Sequence, residues 1–183
     1  MRIERDGCRP MPEDYRFDPE LVLRALLAHS VDFVVIGGYA AVIHGSPSVT
    51  LDADVCPSRD PANLERLAAA LRDVHARIRT VGVPDGLPFA IDGAFFAQMA
   101  MVNLLTDGGA FDLAFAPAAF PGGYEALAPT AVTYDLDGLR IPVASLADII
   151  RSKEAANRPK DHATLPILKA LQDEIAEREA RGE

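Results

Sequence analysis

Residues 35–55 read VIGGYAAVIHGSPSVTLDADV, and this stretch decides the fold. It continues an apolar run, DFVVI at residues 32–36, whose length and β-branched side chains are typical of a buried strand. A glycine pair closes that strand, and residues 39–44 (YAAVIH) then predict a short helix. Residues 49–56 (VTLDADVC) alternate well enough to predict a second strand. A strand, a helix and a strand in so short a segment indicate an α/β fold.

The glycine pair, Gly37 and Gly38, lies where the first strand passes into the helix. Glycine lets the backbone approach a ligand closely, and a helix N-terminus offers free N–H groups and the positive end of a dipole. This arrangement suits a phosphate group. Dinucleotide-binding proteins also use glycines at such a turn, but they require a G-x-G-x-x-G triplet. The chain has no such triplet here, so we exclude dinucleotide binding.

Three aspartates are the candidate catalytic residues. Asp52 and Asp54 are two residues apart on the second strand, so their carboxylates share one face, roughly 7 Å apart at Cα. Such a pair of hard oxygen ligands can hold Mg²⁺ ions that bridge to nucleotide phosphates. Asp112 lies among apolar residues in FDLAF (111–115), where burial would be costly without a metal or a hydrogen-bond network. On a neighbouring strand, Asp112 could accept a proton from an attacking hydroxyl while two metal ions bind the phosphates.

The remaining sequence predicts further helices and strands around this centre. Asp18 and Asp60 precede prolines as helix caps, and Ser145 and Asp148 have capping-box spacing. In the middle of the chain we expect two hairpins, at 101–115 and 132–143, and a short helix within 121–128. Residues 84–91 are rich in turn residues, and 93–100 could be either helix or strand. We expect a small mixed sheet flanked by helices. The predicted organisation is a polar lead-in (1–16), a core (17–144) and C-terminal helices packed over it (145–183).

Composition restricts the class of protein. About half of the 183 residues are apolar, and we find no run long enough to span a bilayer. The N-terminal residues lack the apolar centre of a signal peptide, and Cys8 and Cys56 form no disulfide framework, so we expect a cytoplasmic protein. The net charge of −9 argues against a nucleic-acid binder that uses its whole surface. Any contact with RNA would be local or made through a partner.

In combination these motifs resemble a known superfamily. A strand, Gly-Gly, a helix, Asp-x-Asp and a later aspartate resemble the DNA polymerase β-like nucleotidyltransferases. Four longer segments are similar to the AbiEii-type bacterial nucleotidyltransferases of type IV toxin–antitoxin pairs: GGYAAVIHG, VTLDADV, FDLAF and the tail ASLADIIRSKEAANRPKDHATLPIL. The resemblance implies the nucleotidyltransferase fold, an NTP with Mg²⁺ at a two-ion site, and transfer of a nucleotide to an RNA (for example tRNA) or protein hydroxyl.

The resemblance also implies residue roles. Asp52, Asp54 and Asp112 would be the catalytic carboxylates and metal ligands. The nucleotide-binding residues would be Gly37, Gly38, Thr50, Lys153 and Lys160. Asp161 matches the tail motif as well, and His44 is left open between a packing role and ligand contact.

One departure from the pattern leaves an alternative open. Many relatives carry an arginine shortly before the threonine that precedes the acid pair, whereas this chain has Ser48 there. A missing cation would weaken triphosphate binding, and Arg151, Lys153, Arg158 and Lys160 could compensate if the C-terminal helices fold over the cleft. The alternative is a catalytically weak member that binds a nucleotide or a partner protein.

Overall fold

The structure is a computed structural model that describes residues 17–182. Its strands form a single eight-stranded sheet in the order β4-β3-β5-β6-β2-β1-β8-β7. The strands are β1 (Phe33–Ile36), β2 (Asp52–Pro57), β3 (Arg77–Thr80), β4 (Val83–Leu87), β5 (Met101–Thr106), β6 (Gly109–Ala114), β7 (Val132–Leu136) and β8 (Leu139–Val143). The helices are α1 (Pro19–Ala28), α2 (Gly37–Ile43), α3 (Pro61–Asp73), α4 (Gly93–Ala97), α5 (Tyr124–Leu127), α6 (Leu146–Ala156) and α7 (Pro159–Arg181), with a 3₁₀ turn at Ala128–Thr130.

The sheet is mixed, and its centre brings together the strands that carry the predicted site. β2 pairs antiparallel with β1 and parallel with β6. β1 also pairs with β8 in the parallel sense, whereas β5 pairs antiparallel with β6. Parallel neighbours need crossover connections, and α3 with the β3–β4 hairpin lies between β2 and β6 in the chain. The prediction of a mixed sheet with flanking helices is therefore confirmed.

Helix caps fix where several of these helices begin. The Asp18 side chain accepts a hydrogen bond from the Leu21 N–H, and Asp60 accepts one from the Asn63 N–H. Ser145 accepts one from the Asp148 N–H at the start of α6. Each cap satisfies a backbone donor that the helix itself leaves without a partner.

One hydrophobic cluster runs through the sheet and both helical layers. α1 packs on α3 and α3 on α4, while α6 packs on α7 and contacts α2. The cluster includes apolar residues of the C-terminal helices, among them Ile149 and Leu168, so these helices do pack over the sheet. Within residues 17–182, every helix falls short of the length and apolar character that crossing a membrane requires. The predicted lead-in, residues 1–16, lies outside the described residues.

Several elements differ from the sequence predictions. Helix α2 begins at Gly37 itself rather than at residue 39, and β2 begins at Asp52 because residues 49–51 pair with no strand. The segment 84–91, expected to be turns, contains most of β4, and β3 was not predicted at all. β4 is an edge strand and β3 lies next to it, and both are largely exposed, so they lack the apolar alternation that reveals a strand in a sequence. The undecided segment 93–100 forms α4.

Candidate active site

Strand register places the three aspartates side by side on one face of the sheet. Asp54 lies opposite Asp112 on the adjacent parallel strand, and Asp52 lies two residues before Asp54. The residues between and after the acid pair, Ala53 and Val55, face the other way and are fully buried. The expectation that Asp112 lies on a strand next to the acid pair is thus confirmed.

The electrostatics of this face favour a bound cation. Burial, and after it the nearby carboxylates of Asp52 and Asp112, raise the pKa of Asp54 from the ordinary 3.8 to about 7. The positive charges of Lys160 and Arg158 oppose the rise. Two like charges disfavour the charged form of this carboxylate, and a cation bound between the carboxylates would stabilise that form.

Asp112 has a partner that the sequence did not predict. Nη2 of Arg79, on β3, donates to both Oδ1 and Oδ2 of Asp112 at 2.7 Å. Burial raises the pKa of Asp112, and the hydrogen bond and charge of Arg79 act against that rise. The alternation Arg77, Ile78, Arg79 would have placed both arginines on one face, had this segment been recognised as a strand.

The glycine pair allows α2 to pack against the acidic strand. Gly37 has φ +70°, and a Cβ atom there would collide with the Asp54 carboxylate. A Cβ atom at Gly38 would lie 2.9 Å from Oγ1 of Thr50. That hydroxyl donates to the backbone oxygen of Asp52 at 2.9 Å and to its Oδ1 at 3.1 Å. Thr50 therefore orients Asp52, and only glycine fits at the turn that faces Asp54.

A cleft of about 470 Å³ lies between this face and the C-terminal helices. The polar wall contains the predicted glycines, Thr50, Asp52 and Asp54, together with Ser48. The apolar wall was not predicted and includes Ala114, Pro117, Phe120 and Leu127. The volume of the cleft and its lining of both polar and apolar residues are typical of a small-molecule site.

Basic side chains of the C-terminal segment reach the same cleft. The cleft is lined by Lys153, Arg158 and Lys160, which can therefore replace the cation that is missing at Ser48. Arg151 does not belong to the described lining residues, because its guanidinium lies over the Phe120 ring, 5.0 Å from the centroid.

Asp161 holds two of these cations in place. Its carboxylate is fully buried and accepts from Nε of Arg158 at 2.8 Å and from Nζ of Lys153 at 3.3 Å. Burial alone would raise the pKa of Asp161, yet the bonds and charges of Arg158 and Lys153 hold it below the ordinary value. Asp161 is therefore a buried anion that anchors both cations to the start of α7.

The donor set fits Mg²⁺ bound together with phosphates. Within residues 17–182 no group of three or more His, Cys, Asp or Glu side chains is arranged to hold a metal ion by itself. Mg²⁺ in nucleotide sites is bound by one or two carboxylates and completes its shell with phosphate oxygens and water. Asp52 and Asp54 supply two such carboxylates beside the glycine turn, so they suit a metal that arrives with a triphosphate.

His44 has a structural role. Its Nε2 donates to the Ala144 carbonyl oxygen at 2.8 Å, which leaves Nδ1 to accept from the Tyr134 hydroxyl, also at 2.8 Å. These bonds join the end of α2 to the end of β8. The packing alternative left open for His44 is the one that its contacts favour.

Comparisons with known proteins rest on structure alone. No protein-family model and no curated protein matches the sequence. The lincosamide antibiotic adenylyltransferase LnuA, in its lincomycin-bound crystal structure, superposes with a TM-score of 0.57 at 16% identity, covering 86% of this chain and 99% of LnuA. The chain has the nucleotidyltransferase fold.

A second antibiotic-resistance factor, ANT(2'')-Ia, supports the same fold assignment. Its solution structure gives a TM-score of 0.51 at 13% identity, covering 89% of this chain and 91% of that one. Its crystal structure with adenylyl-2''-tobramycin also gives 0.51, at 12% identity, covering 90% and 97%. The predicted nucleotidyltransferase fold is therefore confirmed, and the AbiEii-type subfamily stays a prediction.

Proposed function

We propose that this protein is a Mg²⁺-dependent nucleotidyltransferase that moves a nucleotide from an NTP to a hydroxyl group of an acceptor. The observation that carries the proposal is one cleft that combines Asp52 and Asp54 with a glycine turn and three basic side chains. Asp112 is not among the lining residues, but it lies opposite Asp54 on the adjacent strand of the same sheet face. Phosphoryl chemistry requires anion binding and stabilisation of developing charge at the same place.

The basic side chains favour a cleft that binds an NTP over a surface that binds only a partner protein. Without cations in the cleft, the charge of a triphosphate would meet only carboxylates, and Ser48 supplies no compensation. Lys153, Arg158 and Lys160 enter the cleft from the opposite wall, and Asp161 fixes two of them. They would bind the triphosphate while Gly37 and Gly38 let its oxygens approach the backbone.

The carboxylates would perform the transfer. Mg²⁺, when bound, supplies Lewis-acid stabilisation of the phosphate oxygens. Asp52 and Asp54 would hold it, with Thr50 orienting Asp52. The hydroxyl oxygen of the acceptor would bond to the α-phosphorus, and an oxygen of Asp112 would accept the proton of that hydroxyl. The bond to the bridging oxygen breaks, and pyrophosphate leaves.

The acceptor is proposed as an RNA (for example tRNA) or protein hydroxyl, in keeping with the AbiEii resemblance, and the protein as one half of a toxin–antitoxin pair. A small hydroxylated molecule is the second candidate, since the LnuA structure is lincomycin-bound and the ANT(2'')-Ia crystal structure is a complex with adenylyl-2''-tobramycin. The net charge of −9 restricts any RNA contact to a local surface.

A catalytically weak nucleotide- or partner-binding protein is the alternative function. One observation favours it: Arg79 contacts both oxygens of Asp112, and this hydrogen-bonded positive charge makes the carboxylate a weaker proton acceptor. The triphosphate and metal sites would persist in that case, but transfer would not occur.

Calorimetric titration of each NTP, with and without Mg²⁺, tests the site. We expect Mg²⁺-dependent binding to wild type and its loss in Asp52→Ala/Asp54→Ala. The matched control is Asp85→Ala/Asp173→Ala, which removes two exposed carboxylates outside the cleft lining. Transfer of labelled NTP to RNA, protein or small hydroxylated molecules then separates enzyme from binder. Wild type that binds no NTP would refute the proposal.

A further inference from the structure

Arg79 reaches Asp112 across an intervening strand. β3 pairs with β5, and β5 pairs with β6, where Asp112 on β6 lies opposite Asn103 on β5. The guanidinium therefore passes over β5 to contact a carboxylate two strands away. This side-chain contact spans β5 and is separate from the backbone hydrogen bonds that join neighbouring strands.

The backbone of β3 is irregular at the residue that makes this contact. The register between β3 and β4 shifts between Ile78 and Thr80, which is the position of Arg79. Bulges of this kind re-aim a side chain and occur next to active sites. The Arg79 side chain is 39% exposed whereas that of Asp112 is 11% exposed, so the arginine has an open path to solvent and the aspartate does not.

The contact engages both oxygens of the Asp112 carboxylate. One nitrogen of Arg79 lies 2.7 Å from each oxygen of Asp112. Three carboxylates lie together on this face, and Arg79 pairs with that of Asp112. Its nitrogen takes the position between the two oxygens that a divalent cation bound through both of them would need.

We propose that Arg79 is the resting counter-ion of Asp112 and that a divalent cation bound at the aspartates displaces it. The inference rests on the metal site of the proposed function. It makes Arg79 a residue that sets metal affinity: the bond to Asp112 must break for the third carboxylate to take part. Removing the arginine side chain should therefore tighten metal binding, since the competing charge is gone.

Binding of Mn²⁺ alone, followed by electron paramagnetic resonance, measures this competition directly. We expect Arg79→Gln to bind Mn²⁺ about fivefold or more tightly than wild type, within the usual range of coupling between linked sites. Arg77→Gln is the matched control, because Arg77 lies on the same strand but donates to the Gly86 carbonyl oxygen. The gain should disappear in Arg79→Gln/Asp112→Asn.

Thermal unfolding with and without Mn²⁺ provides a second measurement if Arg79→Gln is poorly stable. Mn²⁺ should raise its melting temperature more than that of wild type, because ligand stabilisation follows affinity. Equal affinities in wild type and Arg79→Gln, with weaker binding in Asp54→Asn, would overturn this inference and leave the metal site intact. Absence of Mn²⁺ binding in all variants would overturn the inference together with the metal part of the proposed function.

Discussion

Asp54→Asn should stabilise the fold while it removes the function. Burial and the carboxylates of Asp52 and Asp112 raise the pKa of Asp54 from 3.8 to about 7. At neutral pH the wild-type protein must therefore keep a charge, or bind a proton, at a position that favours the neutral form. Asparagine has a similar shape and carries no charge, so it avoids this cost.

The magnitude follows from the separation between the two pKa values. About three pH units lie between the unfolded and folded values, and each corresponds to about 1.4 kcal/mol. The upper bound is about 4 kcal/mol, and relaxation of the partly open cleft reduces it, so we expect a gain of about 2–4 kcal/mol at pH 8. This is a large share of the stability of a typical domain.

The pH dependence has a defined sign. Between the unfolded value of 3.8 and the folded value near 7, native Asp54 retains a proton that the unfolded chain has lost. Stability must then fall as the pH rises through this window, and it levels off above it. Asp54→Asn lacks this slope, so the two proteins should be nearly equally stable at pH 4 and diverge towards pH 8.

Urea denaturation from pH 4 to 8 in a chelating buffer measures the difference. The matched control is Asp85→Asn, an exposed carboxylate on β4 outside the cleft lining, which we expect to change stability by less than about 0.5 kcal/mol. An Asp54→Asn protein that is no more stable than wild type at pH 8 would refute the argument that the three carboxylates repel one another. Added Mg²⁺ should stabilise wild type more than the variant, because the variant lacks one ligand.

Three further predictions concern the frame around the site. Gly37→Ala should cost about 1–3 kcal/mol in urea denaturation from its positive φ alone, and should weaken NTP binding because the new Cβ displaces the Asp54 carboxylate. Asn63→Ala should cost about 2–3 kcal/mol by the same method, since the buried amide bonds both the N–H and the carbonyl of Asp32 and the carbonyl of Ser58. The hydrogen bond that His75 donates to Asp107 raises the pKa of His75, so this pair stabilises the protein below the ordinary pKa of 6.5 and its effect is lost as the pH rises through the folded value. NMR titration of His75 in wild type and in Asp107→Asn should show the higher pKa only in wild type.

The central motif could be predicted from sequence because its signals are local. The apolar run of β1, the glycine turn and the Asp-x-Asp spacing each follow from backbone geometry within a few residues. The position of Asp112 next to the acid pair could be predicted because a carboxylate is costly to bury in an apolar strand unless it binds a metal or joins a hydrogen-bond network. Caps at Asp18, Asp60 and Ser145 also carry their signal in two or three residues.

Other features depend on contacts that no local pattern encodes. The hairpin of β3 and β4 lies at the sheet edge with exposed side chains, so its residues lack alternation and Arg79 was overlooked. The sequence could group the basic residues near α7 but could not establish that Asp161 orients Arg158 and Lys153. That orientation depends on the turn between α6 and α7, where Asn157 adopts φ +50° and Arg158 begins the next helix. The apolar wall at Phe120 follows only from the folded chain.

Local charge balance resolves how so acidic a protein would bind a triphosphate. The net charge of −9 would repel an anion at long range, where salt screens interactions beyond about 10 Å. Inside the cleft, however, Lys160 and Arg158 are close enough to oppose the rise in the Asp54 pKa, and Arg79 neutralises Asp112. Arg158 and Lys160 are exposed, but these contacts act at short range, within the distance over which salt screens charges. Nucleotide affinity should therefore depend on these few cations rather than on the overall charge, and should decrease only modestly as salt is added.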